Sequence, residues 1–357
     1  MSDTSYNFKF RTRQAPSPTG YLHLGTARTV LFTKLMTMVQ NGSWFLRLED
    51  TDQNRKNVAA AKNLLEVLTT LNLAPNEGIS LTQKTEKDLF NEEYQIYETG
   101  EFAPYIQSER LEIYQKQAQK LIDKRLAYWS YITPKQKEDL QNFKQVTKQP
   151  INYFKENLAI HPEFKGKEFN SELIKLAQND TDILFQTVEK ALADEEKPAL
   201  MYKFQRDQKL ECYDELVGKT EFDLNLEEDF TVLKSDGFPA YHFAHLVDDF
   251  AMQTTIVIRG QEWYSSLPKH ITMFRDFYGD EVEIMSSNNG KNVPAYIHLP
   301  VILGETGNKK MSKRDGNVDM QRYLDEGFTE EAIINYLAFL GWNPGTEKEM
   351  YLDGGDF

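Results

Sequence analysis

The spacing of apolar and polar residues near the amino terminus predicts a strand, a helix, a strand and a second helix. The stretch "FKFRTR", which starts at Phe8, alternates with the period of two typical of a strand. Helical spacing of apolar or small residues follows and is expected to stop at Asn41-Gly42. The positions are Leu24, Ala27, Leu31, Leu35 and Met38. "WFLRLED" predicts a second strand and Val58 to Leu71 a second helix, so we expect a βαβ unit with a right-handed crossover.

The same alternation returns near Phe230 after a long tract of different texture. "FTVLKS", "TTIVIRG" and "IHLPVIL" predict strands, Asp236-Gly237 a turn, and the intervening amphipathic stretches helices. Between the two parts, "SERLEIYQKQAQKLIDKR" predicts a helix with Ser108 as its N-cap, and "YWSYIT" a short strand. A tract rich in Lys, Glu and Gln then runs to about residue 200 with a mostly helical pattern.

These patterns predict an α/β fold: a doubly wound parallel sheet of the Rossmann type, split by a largely helical α+β insertion and followed by a helical segment. The expected divisions are residues 1–107 and 229–304 for the two halves of the sheet domain, 108–228 for the insertion, and 305–357 for a loop and helices. Ligands are expected at the carboxyl ends of the parallel strands.

Composition narrows the class of protein. With 357 residues and 40% apolar content the chain can bury more than one core. No apolar run approaches the roughly 20 residues needed to cross a bilayer, and the amino terminus lacks a secretion signal, so we expect a cytoplasmic protein without a membrane partner. The single cysteine, Cys212, excludes internal disulfides. A net charge of −14 argues against a generic nucleic-acid binder.

The loop and helix start at residues 15–26 have the features of a phosphate site. The first turn of a helix offers unpaired N–H groups and a positive dipole end; His23 adds a donor, and Gly25 leaves room for a flat ring. Taken alone, this stretch is weak evidence for such a site, and an ordinary capped helix with a surface histidine is the favoured explanation.

A second stretch, "KKMSKRDG" at 309–316, is basic in an otherwise acidic chain. Ammonium groups on mobile side chains suit a triphosphate whose charge changes during reaction, although a solvated basic loop is the simpler interpretation. The six histidines are scattered along the sequence, and none has a spaced partner that indicates a metal site or a catalytic triad.

Taken together, "HLGT" at 23–26 and "KMSKR" at 310–314 match, in order, the two signature motifs of class I aminoacyl-tRNA synthetases. More narrowly, "RQAPSPTGYLHLGTAR", "RLEDTD", "YIQSERLEIYQ", "LKSDGFPAYHFAHLVDD", "VIRGQEW" and "IINYLAFLGW" resemble bacterial glutamyl-tRNA synthetases. The resemblance covers nearly the whole chain. It implies that the insertion binds the tRNA acceptor end, that the last helices contact the stem, and that the partners are ATP, L-glutamate and tRNA(Glu).

The resemblance also implies residue roles. ATP would be held by His23, Gly25, Thr26, Trp263, Lys310, Met311 and Lys313, with Ser312 supporting the loop. Catalysis would rest on His23, Gly25, Lys310, Ser312 and Lys313. Glutamate would be bound by Arg13, Ser17, Glu49, Tyr241, His245 and Arg259, with the two arginines clamping carboxylate and Glu49 taking the α-ammonium group.

The resemblance further implies Mg²⁺ on the phosphates and a monomeric protein. Many relatives carry a zinc site after the segment equivalent to "YWSYIT", but this chain has Trp129, Ser130 and Tyr131 there, so no zinc is expected. His245 stands where some relatives have asparagine. Glutamyl-tRNA synthetases normally continue into an anticodon-binding portion, so the chain is expected to be a truncated form.

Two rival functions remain. A short glutamyl-queuosine-type paralogue modifies a tRNA base and also lacks the anticodon domain, but "EDTD" with "KMSKR" and the tail "NYLAFLGWNPGTE" favour the synthetase. A non-catalytic tRNA- or protein-binding module on the same fold is disfavoured by His23, Lys310 and Lys313. A glutaminyl enzyme is disfavoured by "APSPTG".

Overall fold

The structure is a computed structural model, and it describes eleven stretches of the chain. These are residues 10–18, 20–52, 57–81, 96–148, 150–160, 184–206, 208–279, 294–304, 311, 319–343 and 345. Lys310, Ser312 and Lys313 of the predicted site lie outside the described residues.

The described elements alternate between strands and helices at both ends of the chain. The strands are β1 (Arg11–Gln14), β2 (Ser43–Leu46), β3 (Glu77–Leu81), β4 (Ile96–Thr99), β5 (Ala127–Ser130), β6 (Ala199–Tyr202), β7 (Lys209–Asp214), β8 (Gly218–Asp223), β9 (Phe230–Leu233), β10 (Ile256–Gly260) and β11 (Ala295–Leu299). The α-helices are α1 (Leu24–Val39), α2 (Val58–Thr70), α3 (Leu111–Asp123), α4 (Pro134–Thr147), α5 (Tyr153–Ile160), α6 (Val188–Leu192), α7 (Tyr241–Ala251), α8 (Leu267–Tyr278), α9 (Met320–Asp325) and α10 (Glu330–Phe339).

The expected doubly wound parallel sheet is confirmed. β1 pairs in parallel with β2, and β2 with β3, while β4 closes that edge in the antiparallel sense. β10 pairs in parallel with β11 and lies on the other side of β1, where the Thr255 N–H donates to the Arg11 carbonyl at 2.9 Å. The strand order therefore reverses between β1 and β10, and α1 begins after β1 at this topological switch point.

Helices cover both faces of this sheet. On one face Val257 and Tyr296 pack with Phe243 of α7 and Ile271 of α8. On the other face Ile256 and Ile258 pack with Met36 of α1. This burial explains why β1 is buried at all four positions although its sequence alternates: a central strand has no solvent face, and its arginines are buried as ion pairs.

The middle of the chain is joined closely to the sheet domain. β5, β6 and β9 form an antiparallel sheet, so β9, expected in the second half of the sheet domain, pairs with β6 of the insertion. The β7–β8 hairpin lies against β11, where the Glu215 N–H donates to the Tyr296 carbonyl at 2.8 Å. One apolar core runs from Trp129 and Tyr202 to Phe243 and Ile271.

Ser108 does not cap the predicted helix. It lies inside a 3₁₀ turn, Gln107–Arg110, that precedes α3, and its backbone N–H and hydroxyl bind the two oxygens of Asp50 at 2.8 and 2.7 Å. The α-helix begins only at Leu111, with Arg110 as its N-cap, so Ser108 lies too far before the first helical turn to cap it. None of the described helices has the length and apolar content needed to cross a membrane.

Candidate active site

A cleft of about 770 Å³ opens at the switch point. Its walls come from the carboxyl ends of β1, β2, β10 and β11 and from the first turn of α1, as expected for a ligand site in a doubly wound sheet. The predicted site residues that line it are Arg13, Ser17, His23, Gly25, Thr26, Glu49, Tyr241, Arg259, Trp263 and Met311. The first motif, Met311 of the second motif and two arginines that are remote in sequence therefore share one cavity.

His23 is the N-cap of α1. Its Nδ1 accepts a hydrogen bond from the Gly25 N–H at 3.1 Å, so the ring proton resides on Nε2 when the histidine is neutral. A Cβ built on Gly25 would meet only that Nδ1, at an ordinary 3.5 Å. The fold therefore does not require glycine at this position, which lines the cleft.

Arg13 is held from behind by Asp249 of α7. Its Nε lies 3.2 and 3.3 Å from the two carboxylate oxygens, and both residues are buried. Burial alone would raise the pKa of Asp249, but the Arg13 and Arg47 guanidiniums hold it well below its usual range. Asp249 thus stays ionised and orients Arg13 at the cleft wall.

Beneath Glu49 lies a buried network of charges. Arg47, fully buried, donates to Asp249 at 2.8 Å and lies 3.4 Å from both Glu49 and Asp248. Asp248 in turn accepts from Arg110 Nε at 2.7 Å. Desolvation lowers the pKa of Arg47, but the three carboxylates outweigh it and the net shift is upward.

Glu49 titrates near neutrality. Burial raises its pKa to about 7, assisted by the charges of Asp249 and Asp248 and opposed by Arg47 and Arg13. A carboxylate that is this poorly solvated gains from an added cation, and the cleft is the open side from which one can come.

The second arginine of the cleft, Arg259, lies among histidines. Its Nε donates to His298 Nε2 at 2.8 Å, Nη1 lies 3.1 Å from His270 Nδ1, and Nη2 donates to the Trp263 carbonyl at 3.2 Å. His270 also lies 2.9 Å from His242 Nδ1. The histidines are scattered along the sequence but not in the folded chain. Four of the six lie together behind this arginine: His242, His245, His270 and His298.

Aromatic side chains form another wall of the cleft. Tyr241 and Trp263 stack with ring centroids 4.3 Å apart, and Trp263 keeps 38% of its surface exposed, which leaves a face for a planar ligand. Ser17 is exposed at the opposite rim. These residues support the predicted roles without testing them.

His245 is the described candidate that does not line the cleft. It is buried behind Tyr241, with Nδ1 lying 2.8 Å from Arg13 Nη2 and 2.9 Å from Asp249 Oδ2. Burial lowers its pKa to about 3, and the charges of Arg13 and Arg259 add to this effect against Asp249. His245 is thus neutral and touches Arg13, and its predicted substrate contact stays a prediction.

Most of the site residues that the sequence analysis did not identify lie behind the residues that line the cleft and hold them in place. Arg47, Asp248, Asp249 and Arg110 build the charged base, and Arg28 of α1 lines the cleft while donating to the Pro300 and Leu340 carbonyls. One signal was available: the adjacent acids of "LVDD" fall on an otherwise apolar helix, and both are buried.

No group of three or more histidine, cysteine, aspartate or glutamate side chains able to hold a metal ion occurs in the described stretches. Trp129 and Ser130, which stand in the segment where no zinc site was expected, are buried in β5. The expectation that the chain binds no zinc stays a prediction.

The fold and the cleft define the class: a doubly wound α/β protein with a candidate ligand site at the switch point. Within that class, the family model described as "tRNA synthetases class I (E and Q), catalytic domain" matches residues 9–355, and the chain belongs to this family.

Two curated proteins similar to this chain share the name glutamate–tRNA ligase. The glutamate–tRNA ligase of Chlorobium phaeobacteroides is 36% identical over 348 residues, which are 96% of this chain and 59% of that protein. The glutamate–tRNA ligase of Finegoldia magna is 36% identical over 342 residues, 95% of this chain and 61% of that protein. The chain thus spans about three-fifths of the length of these relatives.

Solved structures agree with the family. The crystal structure of a glutamate-tRNA synthetase from Elizabethkingia anophelis superposes with a TM-score of 0.73 at 28% identity, covering 97% of this chain and 64% of that one. A glutamate tRNA ligase from Elizabethkingia meningosepticum, solved in complex with its amino acid, gives the same values.

Proposed function

We propose that this chain is the catalytic part of a glutamate–tRNA ligase, which activates L-glutamate with ATP and transfers it to the 3′ end of tRNA(Glu). The observation that carries the proposal is the single cleft in which Arg13 and Arg259 face the same space as His23 and the tip of α1. Because a glutamate-sized anion and a nucleotide must meet for activation, a cavity of about 770 Å³ with positive groups on both sides suits this reaction.

The charge balance of the cavity favours an anionic substrate. At the base, the carboxylates of Glu49, Asp248 and Asp249 are matched by the guanidiniums of Arg13, Arg47 and Arg110. Arg259 comes in addition, and its hydrogen bonds to His298, His270 and the Trp263 carbonyl run to uncharged acceptors. We assign Arg13 and Arg259 to the carboxylates of glutamate and Glu49 to its α-ammonium group, with Ser17 and Tyr241 supplying hydroxyls.

In the proposed reaction the α-carboxylate oxygen of glutamate attacks the α-phosphorus of ATP, and pyrophosphate leaves. A ribose hydroxyl of the tRNA end then attacks the carbonyl carbon of the adenylate, and AMP leaves. Neither step needs a protein nucleophile, so alignment and charge neutralisation would supply most of the acceleration. The N–H groups of α1, His23 and the lysines at 310 and 313 are the groups that we assign to the phosphates.

Mg²⁺ would arrive on the phosphates of ATP and would neutralise part of their charge. The described lining of the cleft carries the carboxylates of Glu49 and Glu262 only. This set does not form a protein cage for the ion, which fits a metal held mainly by ATP. The remaining ATP contacts are assigned to Gly25, Thr26, Trp263 and Met311, and Ser312 to the support of the loop.

Pyrophosphate exchange tests the proposal. The 357-residue chain, given ATP, tRNA(Glu) and labelled pyrophosphate, is expected to form labelled ATP with L-glutamate and much less with L-glutamine. Lys313→Ala is expected to slow this exchange while leaving glutamate affinity nearly unchanged, since the lysine is assigned to the transition state. Absence of exchange with every amino acid in the presence of tRNA would favour the non-catalytic module.

Acylation of a tRNA(Glu) transcript without modified bases separates the two catalytic functions. A ligase that charges the 3′ end places labelled glutamate on this transcript, and the ester is released by mild base. A base-modifying paralogue has no acceptor on such a transcript. Exchange without acylation of the transcript, combined with labelling of fully modified tRNA, would overturn the proposed transfer step in favour of the paralogue.

A further inference from the structure

The hydrogen bonds of Arg259 fix the protonation of its neighbours. A guanidinium only donates, so His298 Nε2 and His270 Nδ1, at 2.8 and 3.1 Å, must both present lone pairs. Each ring is then neutral, with its proton on the other nitrogen. Burial lowers the pKa of both rings, in the direction that this geometry demands.

The proton of His298 is therefore on Nδ1 and points to Asp214. Nδ1 lies 2.7 Å from Asp214 Oδ2, and the backbone N–H of His298 donates to the same oxygen at 3.0 Å. The other oxygen, Oδ1, accepts from the N–H groups of Leu216 and Val217 at 3.0 and 2.8 Å. Asp214 is buried at the end of β7, and these bonds hold its pKa below the ordinary value although burial opposes them.

Asp214 and His298 thus form a chain that ends on the cleft arginine. Because the Nδ1–H of His298 donates to Asp214, Nε2 of the same ring carries a lone pair and accepts from Arg259 Nε. Of the five N–H bonds of the guanidinium, three are used by His298, His270 and Trp263. The fixed plane leaves the others for a ligand in the cleft.

We propose that Asp214 and His298 are a positioning pair for Arg259, in which Asp214 sets the tautomer of His298 and His298 orients the guanidinium toward the substrate carboxylate. The proposal rests on the proposed function insofar as Arg259 is taken as a glutamate ligand. Because Asp214 belongs to the β7–β8 hairpin, a segment expected in the insertion supports chemistry in the cleft.

Asp214→Asn is the informative change. The amide oxygen is expected to stay on the two backbone N–H groups of Leu216 and Val217, so that the NH₂ group replaces the oxygen that accepts from only one backbone N–H, that of His298, and from its ring. The amide NH₂ then faces Nδ1, the proton moves to Nε2, and two donors oppose each other at Arg259. A reversed tautomer of this kind disables a triad histidine by the same logic.

Binding of L-glutamate and of ATP, each measured by equilibrium dialysis, tests the pair. We expect Asp214→Asn and His298→Leu each to weaken glutamate binding about tenfold or more, the effect of losing one hydrogen bond to a charged group. ATP binding is expected to stay within about threefold, because this chain of bonds ends on Arg259 and not on the tip of α1. His298→Gln, which keeps a donor and an acceptor, is expected to retain most of the glutamate affinity.

The double variant separates positioning from plain structure. If Asp214 acts through the ring, adding Asp214→Asn to His298→Leu is expected to cost little more than His298→Leu alone. Equal cost of Asp214→Asn in both backgrounds would overturn the proposal. Asp229→Asn is the matched control: it removes a buried carboxylate that binds Tyr128 and Arg206 and lies outside the cleft lining, so both affinities should stay unchanged.

Nitrogen NMR of the chain labelled at its six histidines reads the tautomer directly. The resonance that disappears in His298→Gln identifies His298; it should report Nδ1–H in the parent and Nε2–H in Asp214→Asn. The same tautomer in both proteins would overturn the proposal. This measurement needs no substrate, so a parent chain that binds no glutamate would refute the proposed function while the tautomers still decide the positioning pair.

Discussion

Gly25→Ala is expected to separate the requirements of the fold from those of the ligand. The added methyl would meet only His23 Nδ1, at 3.5 Å, and the backbone N–H that caps against this nitrogen is kept. Alanine is favoured over glycine in helices by about 1 kcal/mol. The free energy of unfolding should therefore stay constant or rise by up to about 1 kcal/mol.

The cost should fall on ATP instead. Gly25 lines the cleft at the first turn of α1, where we assign the nucleotide, so we expect an added methyl group to take space from that ligand. Intrusion of one methyl group into a fitted contact costs about 1–3 kcal/mol, which corresponds to a loss of affinity of roughly 5- to 150-fold. Glutamate, assigned to the arginine side of the cleft, should bind as before.

The assay is a pair of measurements on each protein: urea unfolding for stability, and equilibrium dialysis for ATP and L-glutamate. Gly341→Ala is the matched control, because a Cβ there meets only ordinary contacts of 3.7 Å or more and the residue lies outside the cleft lining. Unchanged ATP affinity in Gly25→Ala would refute the assignment of the nucleotide to the α1 tip. A fall in stability of more than about 1 kcal/mol would refute the packing reasoning.

Three further predictions concern charge. Arg259→Ala should weaken glutamate binding about tenfold or more while ATP binding changes little, as measured by dialysis; equal losses would make the arginine merely structural. Because the pKa of Glu49 is raised to about 7 and only its ionised form attracts the α-ammonium group, glutamate affinity should rise as pH increases from 6 to 7 and level off above about 8. A flat profile, or one that Glu49→Gln leaves unchanged, would contradict this. Arg47→Met should lower the free energy of unfolding by about 3–5 kcal/mol because it strands buried carboxylates, whereas Arg322→Met, which breaks an exposed pair with Glu326, should cost at most about 1 kcal/mol in the same urea titration.

Much of the fold was accessible from the sequence because its signals are local. Helix α1 begins at Leu24 and its C-cap is Gln40, close to the expected stop at Asn41-Gly42. The parallel strands β2, β10 and β11 follow from apolar runs separated by helical stretches, and β1 follows from the alternation in "FKFRTR". The boundary near residue 228 was harder, because β9 pairs with β6 across it and a pairing partner leaves no mark in a four-residue strand.

The residues of the candidate site also differ in how far the sequence could identify them. Residues that line the cleft, such as His23 and Gly25, lie in short contiguous motifs that can be recognised in the sequence. The groups behind them, Asp214, His270 and His298, are far apart in the sequence and meet only when β7, α8 and β11 are assembled. Spacing along the chain cannot indicate a cluster of this kind, since each member looks like an isolated histidine or aspartate within an amphipathic element.

The apolar core that joins Trp129 and Tyr202 to Phe243 and Ile271 has a consequence for dissection of the chain. Excising the insertion, or expressing it by itself, would expose to solvent the apolar side chains that each segment contributes to this shared core. Neither piece would then retain a complete cooperative unit. The two segments should instead melt together in a single transition, and a protease that nicks the junction should not release a stable fragment. Grafting residues 108–228 onto another doubly wound sheet would accordingly require transplanting α7 and α8 along with them.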